Sequence, residues 1–242
     1  MLKEFIRRIL IFLHIDVTKN IKYDRLTLKI LDKVLHENSN CIDIGCFKGE
    51  ILQEVMKRSP GGSHVAFEPI PVFYSALQKK FKQKQLTIHN IALSDQSGVT
   101  TFNYVVDAPA YSGIKKRDYD GKNPEIKMIE VTTDTLDHVL PSNYKVDLMK
   151  IDVEGAEFKV LKGAFNILKK SRPIIIFEFG LGASDFYKVT PDDFYQYLAT
   201  ECGYQIYQLE HFLKDASPLN KKTFKEVYQS RKDYYFAASP VE

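Results

Sequence analysis

Nothing in the 242 residues approaches the ~18 consecutive apolar positions that a membrane-spanning helix needs, so the chain is not read as crossing a bilayer. Cysteine is scarce as well. Cys41, Cys46 and Cys202 share no metal-ligand spacing, which argues against a zinc framework and for reduced thiols in a reducing compartment. The short apolar N-terminus lacks a small-residue cleavage site, so no secretory signal is read and a cytoplasmic protein is expected. A formal net charge of +3 is too small to imply nucleic-acid binding, and no nucleic-acid partner is expected. The G-x-G-x-x-G fingerprint is missing too, which argues against a nicotinamide oxidoreductase.

What the chain does contain is ample core: 44% hydrophobic residues, with 16 Phe and 14 Tyr. Its length suits a single α/β domain over residues 39–242, preceded by an N-terminal helical extension over residues 1–38. Residues 1–36 carry eight basic against four acidic side chains. Residues 2–15 form an amphipathic pattern with basic flanks. It reads as a cap on the core, or as a contact for an anionic membrane surface or for a second subunit in a homo-oligomer. A second helical pattern covers residues 22–36.

The most informative stretch is Met149-Lys150-Ile151-Asp152-Val153-Glu154-Gly155-Ala156-Glu157. A short apolar strand precedes it. A helix follows, with Val160, Leu161 and Ala164 at helical spacing, and is expected to run to Lys170. Asp152 and Glu154 therefore stand at the carboxyl end of a strand, the edge where open α/β sheets bind ligands. A carboxylate near a helix N-terminus is mildly favourable in any protein, which could account for Glu154 or Glu157. It does not account for an Asp at a buried strand tip, so Asp152 is read as facing a ligand.

The first βα unit runs through Ile42-Asp43-Ile44-Gly45-Cys46-Phe47-Lys48-Gly49, a strand and glycine turn opening a helix. Glu68 lies 25 residues after Asp43, at the end of the strand His64 to Phe67. A carboxylate there can accept hydrogen bonds from ribose hydroxyls. Residues 86–93 read as one further strand, whose end, Asn90 to Leu93, would border a nucleotide base. Residues 99–106 and 129–133 are expected to pair as extra strands. Residues 107–127 read as a flexible, polar segment and 211–232 as a basic, loop-like one. The apolar run 173–179 suits a sheet interior and puts Glu178 near the ligand edge.

With these pieces in place, residues 39–180 resemble the FkbM family of S-adenosylmethionine-dependent methyltransferases. The likeness rests on Ile42-Asp43-Ile44-Gly45 with Gly49, on Phe67-Glu68-Pro69 and on Asn90-Ile91-Ala92-Leu93-Ser94-Asp95. Thr132-Thr133-Asp134-Thr135-Leu136-Asp137 adds to it, and Lys150-Ile151-Asp152-Val153-Glu154-Gly155-Ala156-Glu157 is the most specific match. The resemblance implies a Rossmann-like class I methyltransferase fold: a seven-stranded, mostly parallel sheet with the last strand antiparallel, flanked by helices. It implies S-adenosylmethionine as cofactor, held by Asp43, Gly45, Cys46, Phe47, Gly49, Glu68, Pro69, Asn90, Ile91, Ala92 and Asp152. The family's first motif usually has Ala-Asn where this chain has Cys46-Phe47, so a side-chain contact from that Asn is lost.

O-methylation of a hydroxyl on a sugar, glycan or other small molecule is the implied reaction. Asp152, Glu154 and Glu178 are the candidate catalytic carboxylates; Glu154 is favoured as general base and Asp152 as a holder of cofactor or acceptor. No metal is expected. A divalent cation on Asp152 and Glu178 is the weaker alternative, because no Asp-Asn pair accompanies them. The rival of a different kind is a non-catalytic cofactor-binding module that acts through its basic N-terminal helix on a membrane or partner.

Overall fold

The computed structural model describes residues 18–119 and 123–241, so the helix expected at residues 2–15 lies outside the described residues. In chain order, α1 (Lys19–Val34) leads to β1 (Cys41–Ile44), α2 (Glu50–Arg58), β2 (His64–Phe67), α3 (Pro71–Lys80) and β3 (Leu86–His89). Three strands then stand apart: β4 (Ala92–Leu93), β5 (Gly98–Val105) and β6 (Ile126–Asp134). The chain continues through α4 (Leu136–Val139), β7 (Leu148–Ile151), α5 (Glu157–Lys162), α6 (Phe165–Lys170) and β8 (Ile174–Glu178). It closes through α7 (Pro191–Tyr195), β9 (Tyr204–Gln208), α8 (Leu209–Leu213), α9 (Lys221–Ser230) and β10 (Tyr235–Pro240).

Seven strands form the main sheet in the order β3-β2-β1-β7-β8-β10-β9, parallel from β3 to β8. The last strand, β10, runs antiparallel to both β8 and β9, as expected. Both faces of the sheet are buried, which is why its strands read as near-continuous apolar runs. On one face Ile42, Met149, Ile175 and Phe236 pack against Leu161, Leu168 and Phe194. On the other, Cys41, Leu148, Ile176 and Ala237 meet α1 and α8 through Leu26, Ile30, Leu209 and Phe212. Helix α1, expected in an extension ahead of residue 39, is thus one of the helices that cover the sheet.

Three segments differ from expectation, each through a tertiary contact. The run 86–93 is two strands, because Ala92 and Leu93 turn away to pair with Thr133 and Asp134 in the smaller sheet β4-β6-β5. The helix expected to reach Lys170 breaks between α5 and α6. Gly163 lies so close to Ser94 that an added Cβ would stand 2.1 Å from its carbonyl oxygen. Asp137 then caps α6 from outside, accepting from Asn166 N–H at 2.8 Å and Ile167 N–H at 3.1 Å.

The span 211–232 is largely helical rather than loop-like. Phe224 and Tyr228, one turn apart on α9, enter the core, where Phe224 meets Phe236 with ring centroids 5.1 Å apart. The segment is scaffold. Phe224→Ala should therefore cost roughly 3–5 kcal/mol in urea denaturation, and a loss below about 1 kcal/mol would contradict that role.

Candidate active site

The carboxyl ends of β1 and β7 touch. β1 gives way to Gly45 at φ +75°, and a Cβ there would stand 1.9 Å from the carbonyl oxygen of Asp152. Gly45 and Cys46 N–H donate to the Phe67 carbonyl at 3.0 and 3.1 Å, tying the turn to β2. Glu68, just past β2, accepts from Phe47 N–H and Ile70 N–H, each at 2.9 Å. Burial pushes the Glu68 carboxyl up to about 7, although both N–H groups pull the other way.

Over this turn opens a cleft of about 580 Å³, counting its mouth. Gly45, Phe47, Glu68 and Pro69 form one wall, and Ile91 and Ala92 continue it. Phe102 of the smaller sheet closes the side, and Asp152 and Glu154 stand together in the wall from β7. The roof is the segment after β5, with Pro109, Ala110, Ser112 and Ile114 facing in. Asn103 fixes that roof: its amide donates to the Gly113 and Ile114 carbonyls at 3.3 and 3.1 Å. Farther along, Asp118 N–H bonds the Gly182 carbonyl at 2.9 Å, and Lys115 N–H bonds the Tyr187 hydroxyl at 3.1 Å.

The acids come together through strand register. Asp43 and Lys150 are direct partners between β1 and β7, while Ile151 pairs with Phe177 of β8, which sets Asp152 beside Glu178. Glu178 is in turn opposite Tyr235 of β10. One oxygen each of Asp152, Glu154 and Glu178 lies within 4.8 Å of the others, a spacing that a hard cation could bridge. Two side-chain cations also stand against these acids. Lys150 Nζ stands 3.3 Å from Asp152 and 3.6 Å from Asp43, and Arg117 forms an ion pair with Glu154.

These contacts decide which carboxyls hold protons. Burial opposes the charge on Asp152, but Lys150 and the Tyr235 hydroxyl, 2.6 Å away, outweigh it and hold the group below the usual carboxylate range. Glu178 goes the other way: burial and the neighbouring Asp152 and Glu157 outweigh Arg117 and push it well above that range. Burial likewise raises Glu157 to about 7, although Val153 and Gly155 N–H donate to it at 3.0 and 3.2 Å. Lys150 is raised rather than lowered, because its two carboxylates outweigh the effect of burial.

Of the predicted residues, Gly45, Phe47, Glu68, Pro69, Ile91, Ala92 and Asp152 line the cleft, and Glu154 and Glu178 stand beside Asp152. Four lie behind it. Asp43 is buried next to Lys150, and the Cys46 side chain packs with Leu52 and Ala66. Gly49 caps α2 under Phe81, while Asn90 commits its amide to the Glu68 and Pro69 carbonyls at 2.8 and 2.9 Å. Sequence reasoning assigned no role to Lys150, Tyr235 or Arg117. Lys150 was open to inference, since it sits two residues before Asp152 and so on the same face of the strand. Tyr235 and Arg117 arrive from distant segments, and nothing local marks them.

Such a sheet, with its cleft beyond the carboxyl ends of β1 and β2, defines a Rossmann-like class I methyltransferase fold. The model of the methyltransferase FkbM domain matches residues 43–206, and the chain belongs to that family. Methyltransferase 1 of Beauveria bassiana (strain ARSEF 2860) is 25% identical over 147 residues, which cover 52% of this chain and 59% of that protein. Methyltransferase sdnD of Sordaria araneosa is 25% identical over 159 residues, covering 53% and 61%. The chain thus spans about three-fifths of the length of these relatives. Among solved structures, Methyltransferase FkbM from Methylobacillus flagellatus KT is similar in fold. Its TM-score is 0.51 at 12% identity, covering 90% of this chain and 54% of that one. Among the described residues no helix is long and apolar enough to cross a membrane.

S-adenosylmethionine is the cofactor that goes with this family. The residues present fit it: Glu68 offers a fixed carboxylate to hydroxyl donors, and the turn at Gly45 exposes backbone without a side chain. Ile70, Ile91 and Phe102 supply an apolar slot of the kind a purine needs.

Glu68 and Glu157 titrate at about 7 when folded, against about 4.5 otherwise. Between those values the folded chain binds more protons than the unfolded one, so these two groups lower stability as pH rises from about 4.5 to about 7. Each contributes on the order of 3 kcal/mol across that window. Glu157→Gln should flatten the decline seen by urea denaturation of the ligand-free protein at successive pH values. Identical slopes in variant and wild type would contradict the assignment.

Proposed function

We propose that the chain transfers a methyl group from S-adenosylmethionine to a hydroxyl of a small-molecule acceptor, with sugars and glycans the first class to test. The observation that carries this reading is the place of Asp152 in the wall of the cleft, beside Glu154 and Glu178 and next to the Gly45 turn, with Lys150 and the Tyr235 hydroxyl against its carboxylate. When bound, the sulfonium supplies an activated methyl group and leaves as a neutral thioether. The chain's own task is to hold the acceptor in line and to take its proton, because an alkyl hydroxyl is a weak nucleophile.

Asp152 suits the base role better than Glu154, the residue favoured from sequence. Arg117 engages the Glu154 carboxylate directly, and Glu178 is held protonated, which makes it a hydrogen-bond donor rather than a base. The roof segment 109–114 bounds the space left for the acceptor, and Arg117 reaches the cleft wall at Glu154. The sugar preference rests on the family resemblance.

The test has two stages. Isothermal titration should show binding of S-adenosylmethionine and none of NAD. Transfer of radiolabelled methyl to a panel of mono- and oligosaccharides should then fall by about 10²–10⁴ in Asp152→Asn, with cofactor affinity little changed. Undiminished transfer in Asp152→Asn would remove Asp152 from the chemistry. Tight cofactor binding without transfer to any acceptor would favour the non-catalytic module.

A further inference from the structure

Asp152 is held by two residues that are not among the cleft-lining side chains, one on β7 and one on β10. Tyr235 Oη donates to Asp152 Oδ2 at 2.6 Å, and Lys150 Nζ stands 3.3 Å from the same oxygen, so both contacts leave Oδ1 unused. Neither partner is free to swing. Lys150 is buried and also faces Asp43, whose two carboxylate oxygens have no hydrogen-bond partner among the described residues. The Tyr235 ring stacks on Tyr23 with centroids 5.2 Å apart. Tyr23 is pinned in turn, donating to Asp233 at 3.0 Å, and Asp233 also accepts from Gln208 at 2.5 Å. A chain of contacts from α1 and β9 thus sets the direction of one hydroxyl at the edge of the cleft.

We propose that Lys150 and Tyr235 are positioning residues that keep Asp152 as the charged member of the Asp152–Glu178 pair and leave its Oδ1 to receive the acceptor's proton. The inference rests on the methyl-transfer reading and goes beyond it by naming what selects Asp152 among three neighbouring carboxyls. Two adjacent carboxyls in a buried site do not both ionise readily, so the pair carries one proton. Which carboxyl takes it depends on the surrounding groups. Asp152 faces Lys150 on its own strand, Asp43 on β1, Tyr235 on β10, Glu154 beyond the strand end and Glu178 on β8, with which it shares a hydrogen bond; Glu178 faces Asp152, Glu154, Glu157 of α5 and Arg117 of the roof segment. A cation and a hydroxyl donor thus serve Asp152, while burial and the charge on Asp152 outweigh Arg117 and make ionisation of Glu178 unfavourable. The proton belongs on Glu178.

The inference can be tested before any acceptor is known. Full-length protein carrying ¹³C-carboxyl Asp and Glu, saturated with S-adenosylhomocysteine, is titrated by NMR, with Asp152→Asn and Glu178→Gln used for assignment. In the wild type Asp152 should titrate below the ordinary aspartate range while Glu178 holds its proton at neutral pH. Tyr235→Phe should raise the Asp152 midpoint by about one pH unit and leave affinity for S-adenosylhomocysteine unchanged, a combination that a packing defect would not produce. Lys150→Met should raise it further. If that variant does not fold, Tyr235→Phe carries the test alone. A midpoint unmoved in Tyr235→Phe, or a wild-type proton on Asp152, would overturn the inference. Failure of the wild type to bind S-adenosylmethionine or S-adenosylhomocysteine would instead overturn the methyl-transfer reading beneath it.

Discussion

A buried ammonium group holds this site together. Lys150 lies between Asp43 of β1 and Asp152 at the end of β7, on the sheet face where Cys41, Leu148, Ile176 and Ala237 pack. A buried charge is tolerable only when paired, and removing one partner of such a set typically costs about 3–5 kcal/mol. Lys150 therefore binds the two central strands electrostatically where their backbones also make their closest approach, at Gly45. The glycine turn that brings β1 against β7 and the ion pairs of Lys150 occupy neighbouring positions. That coincidence lets one strand edge both shape a ligand turn and hold an ionised acid beside it.

From this centre the division of labour along the sheet edge follows. Toward β2 the groups are backbone N–H, a single fixed carboxylate and apolar side chains, a surface suited to a nucleoside. Toward β8 and β10 the edge carries acids in different protonation states, set by whether a donor stands beside them. The roof segment spans both regions and is anchored at each end, by Asn103 near the smaller sheet and by the Gly182 and Tyr187 contacts near β8.

Much of this was legible in the chain itself. The all-apolar strands, the Asp43-to-Gly49 turn and the spacing to Glu68 mark a nucleotide-binding sheet, and register alone brings Asp152 to Glu178. The misreadings share a cause. α9 was taken for a loop because its lysines dominate its composition, whereas Phe224 and Tyr228, one turn apart, decide its burial. The break at Gly163 depends on the backbone of Ser94, nearly seventy positions earlier in the chain. Arg117 and Tyr235 reach the acids from segments whose approach only tertiary packing determines. Local pattern reported what each strand contributes, and long-range contact determined which acid is charged.

In the proposed methyl transfer the donor lies along the Gly45 turn and Glu68 with its sulfur toward Asp152. A crystal structure of the protein with S-adenosylhomocysteine measures this directly. The expected result is ribose hydroxyls on the Glu68 carboxylate and the thioether within reach of the Asp152–Glu178 pair. A ligand bound elsewhere on the molecule, or reversed so that its sulfur faces away from Asp152, would contradict it.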